Sequence, residues 1–252
     1  MASGIYIKIK EKLNELVEEN NLRDERVVVK ARALTPDEAI GNPERDDFPL
    51  LKGKERMMQA EFMGSFGQAF TDRYGDFEGT LDDVLNMELT NNYRRAIFIA
   101  TLNAVMRHLN LIEGTVHCRD SGPKECGTDL VELISENYKN KNPKILFIGL
   151  QPALADECSK KFRIKVLDLD PGNVGKEKFG TVILDGSIPE EVDDAAEWCD
   201  VILATGSTII NDTISDVINV SEKYNKPVVF YGNTISGVAK LLNLKRFCSK
   251  AT

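Results

Sequence analysis

From Pro143 onward the chain repeats one alternation: a short apolar run, a loop, a helical pattern, then another apolar run. The apolar runs are Lys144–Gly149, Ile164–Asp170, Thr181–Leu184, Asp200–Ala204 and Pro227–Tyr231. Between them lie helical patterns over Pro152–Phe162, after Ser187 (capped there with Glu190), over Ile209–Tyr224 and over Ser236–Leu242. Short runs that are apolar throughout, rather than at every second position, belong to strands covered on both faces. Strand–helix–strand units need crossover connections, and crossovers give a parallel sheet. The C-terminal part therefore reads as a Rossmann-like α/β domain whose sheet starts near residue 144.

The preceding residues follow a different plan. Ile5, Ile9, Leu13 and Leu16 form one stripe of an amphipathic helix over residues 4–20. Arg26–Leu34 reads as a strand, and Thr35-Pro-Asp-Glu38 carries an N-cap, a first-turn proline and a capping-box glutamate. Arg56–Thr71 reads as a hairpin hinged near Gly64–Gly67, and Thr80–Asp83 caps a short helix. Asn91–Leu109 is a longer helix, apolar on two faces and so buried, and its Asn103 then needs hydrogen-bond partners. Gly127–Asn137 is a further helix before the polar linker Tyr138–Pro143. The reading is a smaller N-terminal α+β domain over 1–115 and the Rossmann-like domain over 116–252.

Charge narrows the partners. Forty acidic against 32 basic side chains leave a formal charge of −8, the wrong sign for a general nucleic-acid or membrane surface. The longest mostly apolar stretch, Ala96–Met106, is too short to span a bilayer. With charges where a signal peptide needs an apolar core, the N-terminus points to a cytoplasmic protein. Five cysteines do not make a disulfide scaffold, and the odd count fits reduced thiols. A homo-oligomer is left open.

In open α/β sheets ligands bind beyond the carboxyl ends of the strands. Gly149-Leu-Gln151-Pro152, Asp168-Leu-Asp170, Thr205–Thr213 and Tyr231-Gly-Asn-Thr234 fall there. In the richest of these, Gly206 permits a tight turn, and Ser207 and Thr208 then open a helix whose free N–H groups favour an anion. Asn211 and Thr213 lie a turn further on, although an ordinary N-cap accounts for part of this pattern. Asp168 and Asp170 stand about 20 residues beyond Gly149, where dinucleotide folds hold ribose hydroxyls. Gly-Leu-Gln-Pro is not G-x-G-x-x-G, which disfavours NAD and leaves a nucleotide or S-adenosylmethionine as the lesser cofactor option. His117, Cys118 and Cys126 form the sole His/Cys cluster and offer donors suited to a soft transition metal ion, in a spacing foreign to zinc fingers. Cys158, Cys199 and Cys248 read as core thiols, with Cys248 in the polar tail.

Lys52-Gly-Lys-Glu55, Gly67-Gln-Ala-Phe-Thr-Asp72, Asn103-Ala104, His117-Cys118, Cys126-Gly127, Gly149–Pro152, Asp168–Pro171, Thr205–Thr208, Asn211 and Tyr231-Gly232 follow one another as in DUF364 proteins. The chain thus resembles that family, which is labelled for heavy-metal chelation and carries an N-terminal DUF4213 domain. The resemblance implies an enolase N-terminal-like domain joined to the Rossmann-like one, with a site in the cleft between them. It adds Lys54, Glu55, Gln68, Thr71, Asp72 and Asn103 to the ligand-binding candidates and sets Gly67–Asp72 opposite Thr205–Thr213. Asp212 replaces the glycine expected after Asn211, and its charge turns the loop from an anion toward a cation. The implied function is heavy-metal or metal-chelate binding in the cleft. The alternative is an enzyme acting on a small polar metabolite; no catalytic triad order or carboxylate pair spacing defines its reaction.

Overall fold

The computed structural model describes residues 4–23, 28–52, 55–139 and 141–252. Helix α1 (Gly4–Glu19) buries Tyr6, Ile9, Leu13 and Val17; the expected stripe keeps Ile9 and Leu13, while Ile5 and Leu16 are only half-buried because the buried face is rotated toward Tyr6 and Val17. Strand β1 (Val28–Ala33) leads to α2 (Pro36–Ile40), where Thr35 and Glu38 close a capping box. The hairpin of β2 (Arg56–Phe62) and β3 (Ser65–Thr71) turns at Met63-Gly64, with φ of 48° and 77°, a pair of left-handed residues whose twist suits a two-residue connection. Strand β4 (Phe77–Thr80), α3 (Leu81–Asn86, capped by Thr80) and α4 (Asn92–His108) complete this half. The four strands pair antiparallel in the order β3-β2-β1-β4.

The second half contains α5 (Gly122–Asn137), β5 (Lys144–Ile148), α6 (Pro152–Ser159), β6 (Arg163–Asp168), β7 (Glu177–Lys178) and β8 (Thr181–Asp185). It continues with α7 (Pro189–Trp198), β9 (Val201–Thr205), α8 (Ile214–Lys223), β10 (Val228–Tyr231), α9 (Ser236–Leu242) and β11 (Arg246–Phe247). The strand order is β11-β10-β9-β5-β6-β8-β7, parallel except for the short β7 against β8. This is the Rossmann-like α/β arrangement the sequence implies, beside the smaller antiparallel α+β half. After β5 the chain winds to one side through β6 and β8, then crosses to β9 and winds the other way. The β5/β9 boundary is therefore the switch point, where a crevice opens beyond the strand ends.

Three boundaries differ from the sequence reading. Helix α8 begins at Ile214 rather than Ile209, because Gly206–Thr208 closes into a 3-10 turn first. Ser187 does not cap α7; its N–H and hydroxyl both donate to Asp185 Oδ1. Helix α5 starts at Gly122, bringing Cys126 into its first turns.

Helix α4 is buried at every position from Ala96 to Met106. It can be apolar all round because β2 and β3 cover one side while α9 packs on the other. One hydrophobic cluster runs through it from Met58 and Phe62 of the first sheet to Ile202 and Phe230 of the second. Gly67 lets β3 reach α4, since a Cβ there would overlap the Ala100 carbonyl and the Ala104 nitrogen. The one amide in this buried stretch is engaged on both sides. Asn103 Nδ2 donates to the carbonyls of Gln68 (3.0 Å) and Thr234 (3.0 Å), and Oδ1 accepts from Gly237 N–H (2.8 Å). Among the described residues no helix is long and apolar enough to cross a membrane.

Truncating Asn103 strands a buried N–H and two buried carbonyls. Asn103→Ala should lower unfolding stability by about 3 kcal/mol or more in urea titrations. An unchanged midpoint would show that the amide does not clamp the halves together.

Candidate functional site

A cavity of about 530 Å³ opens at the switch point. One wall comes from the first half: Pro49, Glu55, and Phe70, Thr71 and Asp72 at the end of β3. The other comes from the carboxyl ends of β5, β6 and β9: Gly149, Asp168, Asp170, Thr205, Ser207 and Thr208, with Asn211 beyond. The Gly67–Asp72 segment thus faces the Thr205–Thr213 loop. The loop before Glu55 is pinned across the cleft by Arg45, which bonds Asp47 at 2.9 Å and Asp156 of α6 at 2.7 Å. Lys54 lies outside the described residues.

Gly149 occupies the floor with φ +88°, and a Cβ there would meet the Thr205 side chain at 2.5 Å. Only glycine lets the end of β5 approach β9 this closely. Its carbonyl accepts from the buried Tyr231 hydroxyl at 2.7 Å. Asp168 braces the same floor: Oδ2 accepts from Leu150 N–H (3.0 Å), and Oδ1 accepts from Asp170 N–H (2.8 Å). Asp170 in turn accepts from Gly172 N–H. Asp168 therefore fixes the two strand-end loops rather than offering both oxygens to a ribose.

The Thr205 loop spends much of its backbone on itself. Ser207 N–H donates to Thr205 Oγ1, and the N–H groups of Ile209, Asn211, Asp212 and Thr213 all find carbonyls within the loop. Tyr6 and Arg95 from the first half hold its outer side by donating to the carbonyls of Ile209 (2.5 Å) and Ile210 (2.6 Å). Asp212 adopts φ +62°, which explains the glycine expected there. It does not line the cavity; its charge acts on buried Tyr6, whose hydroxyl is pushed well up, by burial first. The negative charge of the site therefore comes from other carboxylates.

Those carboxylates are Glu55, Asp72, Asp168, Asp170 and Asp216, and no lysine or arginine is among the described lining residues. Glu55 shows the consequence: burial first, then Asp168, Asp72 and Asp170, push its carboxyl up to about 7. Asp72 Oδ1 accepts from Asn92 Nδ2 (2.6 Å), and the same amide reaches Asn211 Oδ1 (3.2 Å), bridging the two walls. Thr71 is turned to its own loop, donating to Arg73 O.

A second chamber, about 100 Å³, shares Glu55, Phe70, Leu150, Thr205 and Ser207 with the first. It gathers His117, Cys118, Cys126, Gln151, Pro152, Gly206 and Tyr231. Gln151 caps α6, its Oε1 accepting from Leu154 N–H. Burial holds His117 down to about 4, so its imidazole is neutral at pH 7. Among the described residues no three or more His, Cys, Asp or Glu side chains are placed to hold one metal ion. The predicted metal trio shares a chamber without forming a closed ligand shell.

Gln68 and Asn103 line neither cavity. Gln68 accepts from His117 N–H (2.7 Å) and donates to Gln59, so it stitches the interior. Sequence reasoning missed Asn92, Asn173, Asp216 and Cys248. Asn173, whose amide reaches Asp168 Oδ2 at 3.4 Å, had a signal in the Asp-Pro-Gly-Asn turn. The others join the site only through tertiary contacts.

With this geometry in place, known proteins can be compared. Residues 131–244 match the family model DUF364, described as "Putative heavy-metal chelation". The DUF364 match spans β5 to α9, the wall that carries Gly149, Asp168 and Thr205. A DUF364-family crystal structure of unknown function from Pyrococcus horikoshii superposes with a TM-score of 0.55 at 18% identity, covering 90% of this chain and 78% of that one. It shows that the fold is shared across both halves. A second DUF364-family protein of unknown function, from Desulfitobacterium hafniense, gives a TM-score of 0.49 at 15% identity, over 74% of this chain and 72% of its own. No curated protein matches the chain.

The raised Glu55 pKa has a definite sign. Unfolded, the carboxyl ionises near its ordinary 4.5; folded, it keeps its proton to about 7. Unfolding therefore releases a proton in between, and Glu55 costs stability progressively as pH rises through that window. Glu55→Gln should leave stability at pH 4 little changed and raise it at pH 8 by on the order of 2 kcal/mol. Paired thermal melts against pH would test this; a constant offset at all pH values would contradict it.

Proposed function

We propose that this protein binds a heavy-metal ion, and best a metal chelate, in the cleft between its two halves. The observation that carries the reading is the cavity wall: Glu55, Asp72, Asp168, Asp170 and Asp216 with no lysine or arginine among the described lining residues. Confined like charges raise the local potential, and a bound cation relieves it. The description of the matched family supports the metal half of the reading. Two features favour a chelate over a bare ion. The described donors do not converge on one ion, so part of the coordination shell must arrive with the metal. The volume also falls in the range of small-molecule pockets rather than ion sites, and Leu150, Leu167, Val192 and Val217 give it an apolar side for an organic body.

In this reading residues 1–115 form an enolase N-terminal-like, DUF4213-type lobe and residues 116–252 the Rossmann-like lobe. Asp72 and Asn211, joined through Asn92, hold the mouth; Glu55 gives up its proton as the cation enters. Binding should therefore tighten as pH rises from 6 to 8. A second reading, an enzyme acting on a small polar metabolite, is favoured by one observation. A carboxyl poised near neutrality is what general acid–base chemistry uses, and Glu55 has one.

Equilibrium dialysis against Ni(II) alone, and against Ni(II) as its histidine complex, tests the metal reading. The complex should bind near one per chain and more tightly than the bare ion. Asp72→Asn with Asp216→Asn, both at exposed positions, should weaken it at least tenfold, about 1.4 kcal/mol. Retention of neither probe, or equal retention by the double variant, would sink the proposal.

A further inference from the structure

Three distant segments deliver thiols to the smaller chamber behind the cleft. Cys118 comes from the loop after α4, Cys126 from α5, and Cys248 from the residues after β11. The other two cysteines do not border it. Gly122 permits the packing of Cys118 on α5, since a Cβ there would stand 2.8 Å from Cys118 Cβ.

Ordinary core thiols are wrapped by neighbours, as Cys158 and Cys199 are. These three instead border a void of about 100 Å³, room for an ion or a few waters. Cys118 and Cys248 are only partly buried, so an incoming ion can reach them. An independent observation points the same way. His117, half-buried on the same chamber wall, has an Nδ1 that is closed off from solvent and without a hydrogen-bond partner. A buried imidazole nitrogen without a partner is costly unless something else uses its lone pair.

Soft thiolates select Cu(I) and related d10 ions. Because no three donors converge among the described residues, a tetrahedral zinc site is not preformed. We propose that Cys118 and Cys248 form a two-coordinate thiolate site for Cu(I), with Cys126 and His117 as flanking donors. The two thiols lose their protons to solvent as two sulfur–copper bonds form, leaving a site of charge −1. Arg246, two residues before Cys248 and fixed by its bonds to the carbonyls of Gly232 and Gly114, offsets that charge. This inference concerns metal binding, as the cleft reading does, but rests on thiols alone, so either can fail without the other.

The test uses the full reduced chain under anaerobic conditions, with Cu(I) partitioned against bathocuproine disulfonate. One Cu(I) per chain should be retained, with thiolate-to-copper absorption in the near ultraviolet. Cys118→Ser and Cys248→Ser should each weaken retention at least tenfold, while Cys158→Ser leaves it unchanged. Should a variant fail to fold, the wild-type chain still decides: Cu(I) should slow iodoacetamide labelling of Cys118 and Cys248 but not of Cys199, read by peptide mass spectrometry. Equal Cu(I) retention by the wild-type chain and the Cys118→Ser and Cys248→Ser variants, or labelling indifferent to Cu(I), would overturn the proposal. Ni(II)-complex binding in the cleft would stand or fall separately.

Discussion

The side-chain amide of Asn103 holds the molecule's two sheets in a fixed relation. It is inserted in a stretch of α4 that is buried on every side, and its bonds reach β3, the loop after β10 and the start of α9. Around it, Asn233 donates to Gln68 and to the Thr115 carbonyl, and Phe70 N–H donates to Thr234. Breaking any one of these exposes the rest to the desolvation cost of buried polar groups. The network ends at Phe70, whose neighbours Thr71 and Asp72 are the cleft wall. The position of that wall over the strand ends therefore follows from polar bonds made deep in the core, some distance from any ligand.

The same coupling runs in the other direction. Tyr6 of α1 and Arg95 of α4 hold the loop after β9 by its carbonyls. That loop bonds the N–H groups of Ser207, Ile209, Asn211, Asp212 and Thr213 within itself, so side chains make up much of what it presents to the cavity. Held this way on both walls, the cleft carries like charges at close range. Glu55 resists ionising because water is scarce around it and, next, because Asp168, Asp72 and Asp170 are near. The fold bears an electrostatic cost here, the usual trade between stability and readiness to bind.

Much of this was legible in the sequence, for physical reasons that can be named. Strands covered on both faces are apolar in their centres, so β5 and β9 stood out most, while β6, β8 and β10, each partly exposed, were read from apolar runs between helical patterns. Capping boxes at Thr35 and Thr80 are local and need no tertiary information. Short strands such as β7 and β11, of two residues each, exist only through their partners and left no pattern. Ser207 looked like a helix opening because a 3-10 turn and a helix N-cap use the same residue types. Gln68 and Asn103 looked like ligand contacts because polarity in a buried run does not reveal whether a side chain faces a cavity or another amide. Cys248 was passed over for the opposite reason: nothing in the tail's composition shows that it folds back against Cys118.

The switch point explains why one glycine matters more than the polar residues around it. Where β5 and β9 diverge, their carboxyl ends would leave an open crevice whatever the sequence. Gly149 narrows that crevice by letting Thr205 pack against its backbone, and Tyr231 locks the peptide by bonding its carbonyl. Any side chain at 149 would push β5 from β9 and strain a backbone at φ +88°. It would also move Leu150 away from Asp168, whose carboxylate depends on that N–H. The charge arrangement of the cleft is thus set by a residue with no charge and no side chain. Substitutions at Gly149 should therefore disturb ligand binding through the placement of Asp168 before they disturb the stability of the sheet.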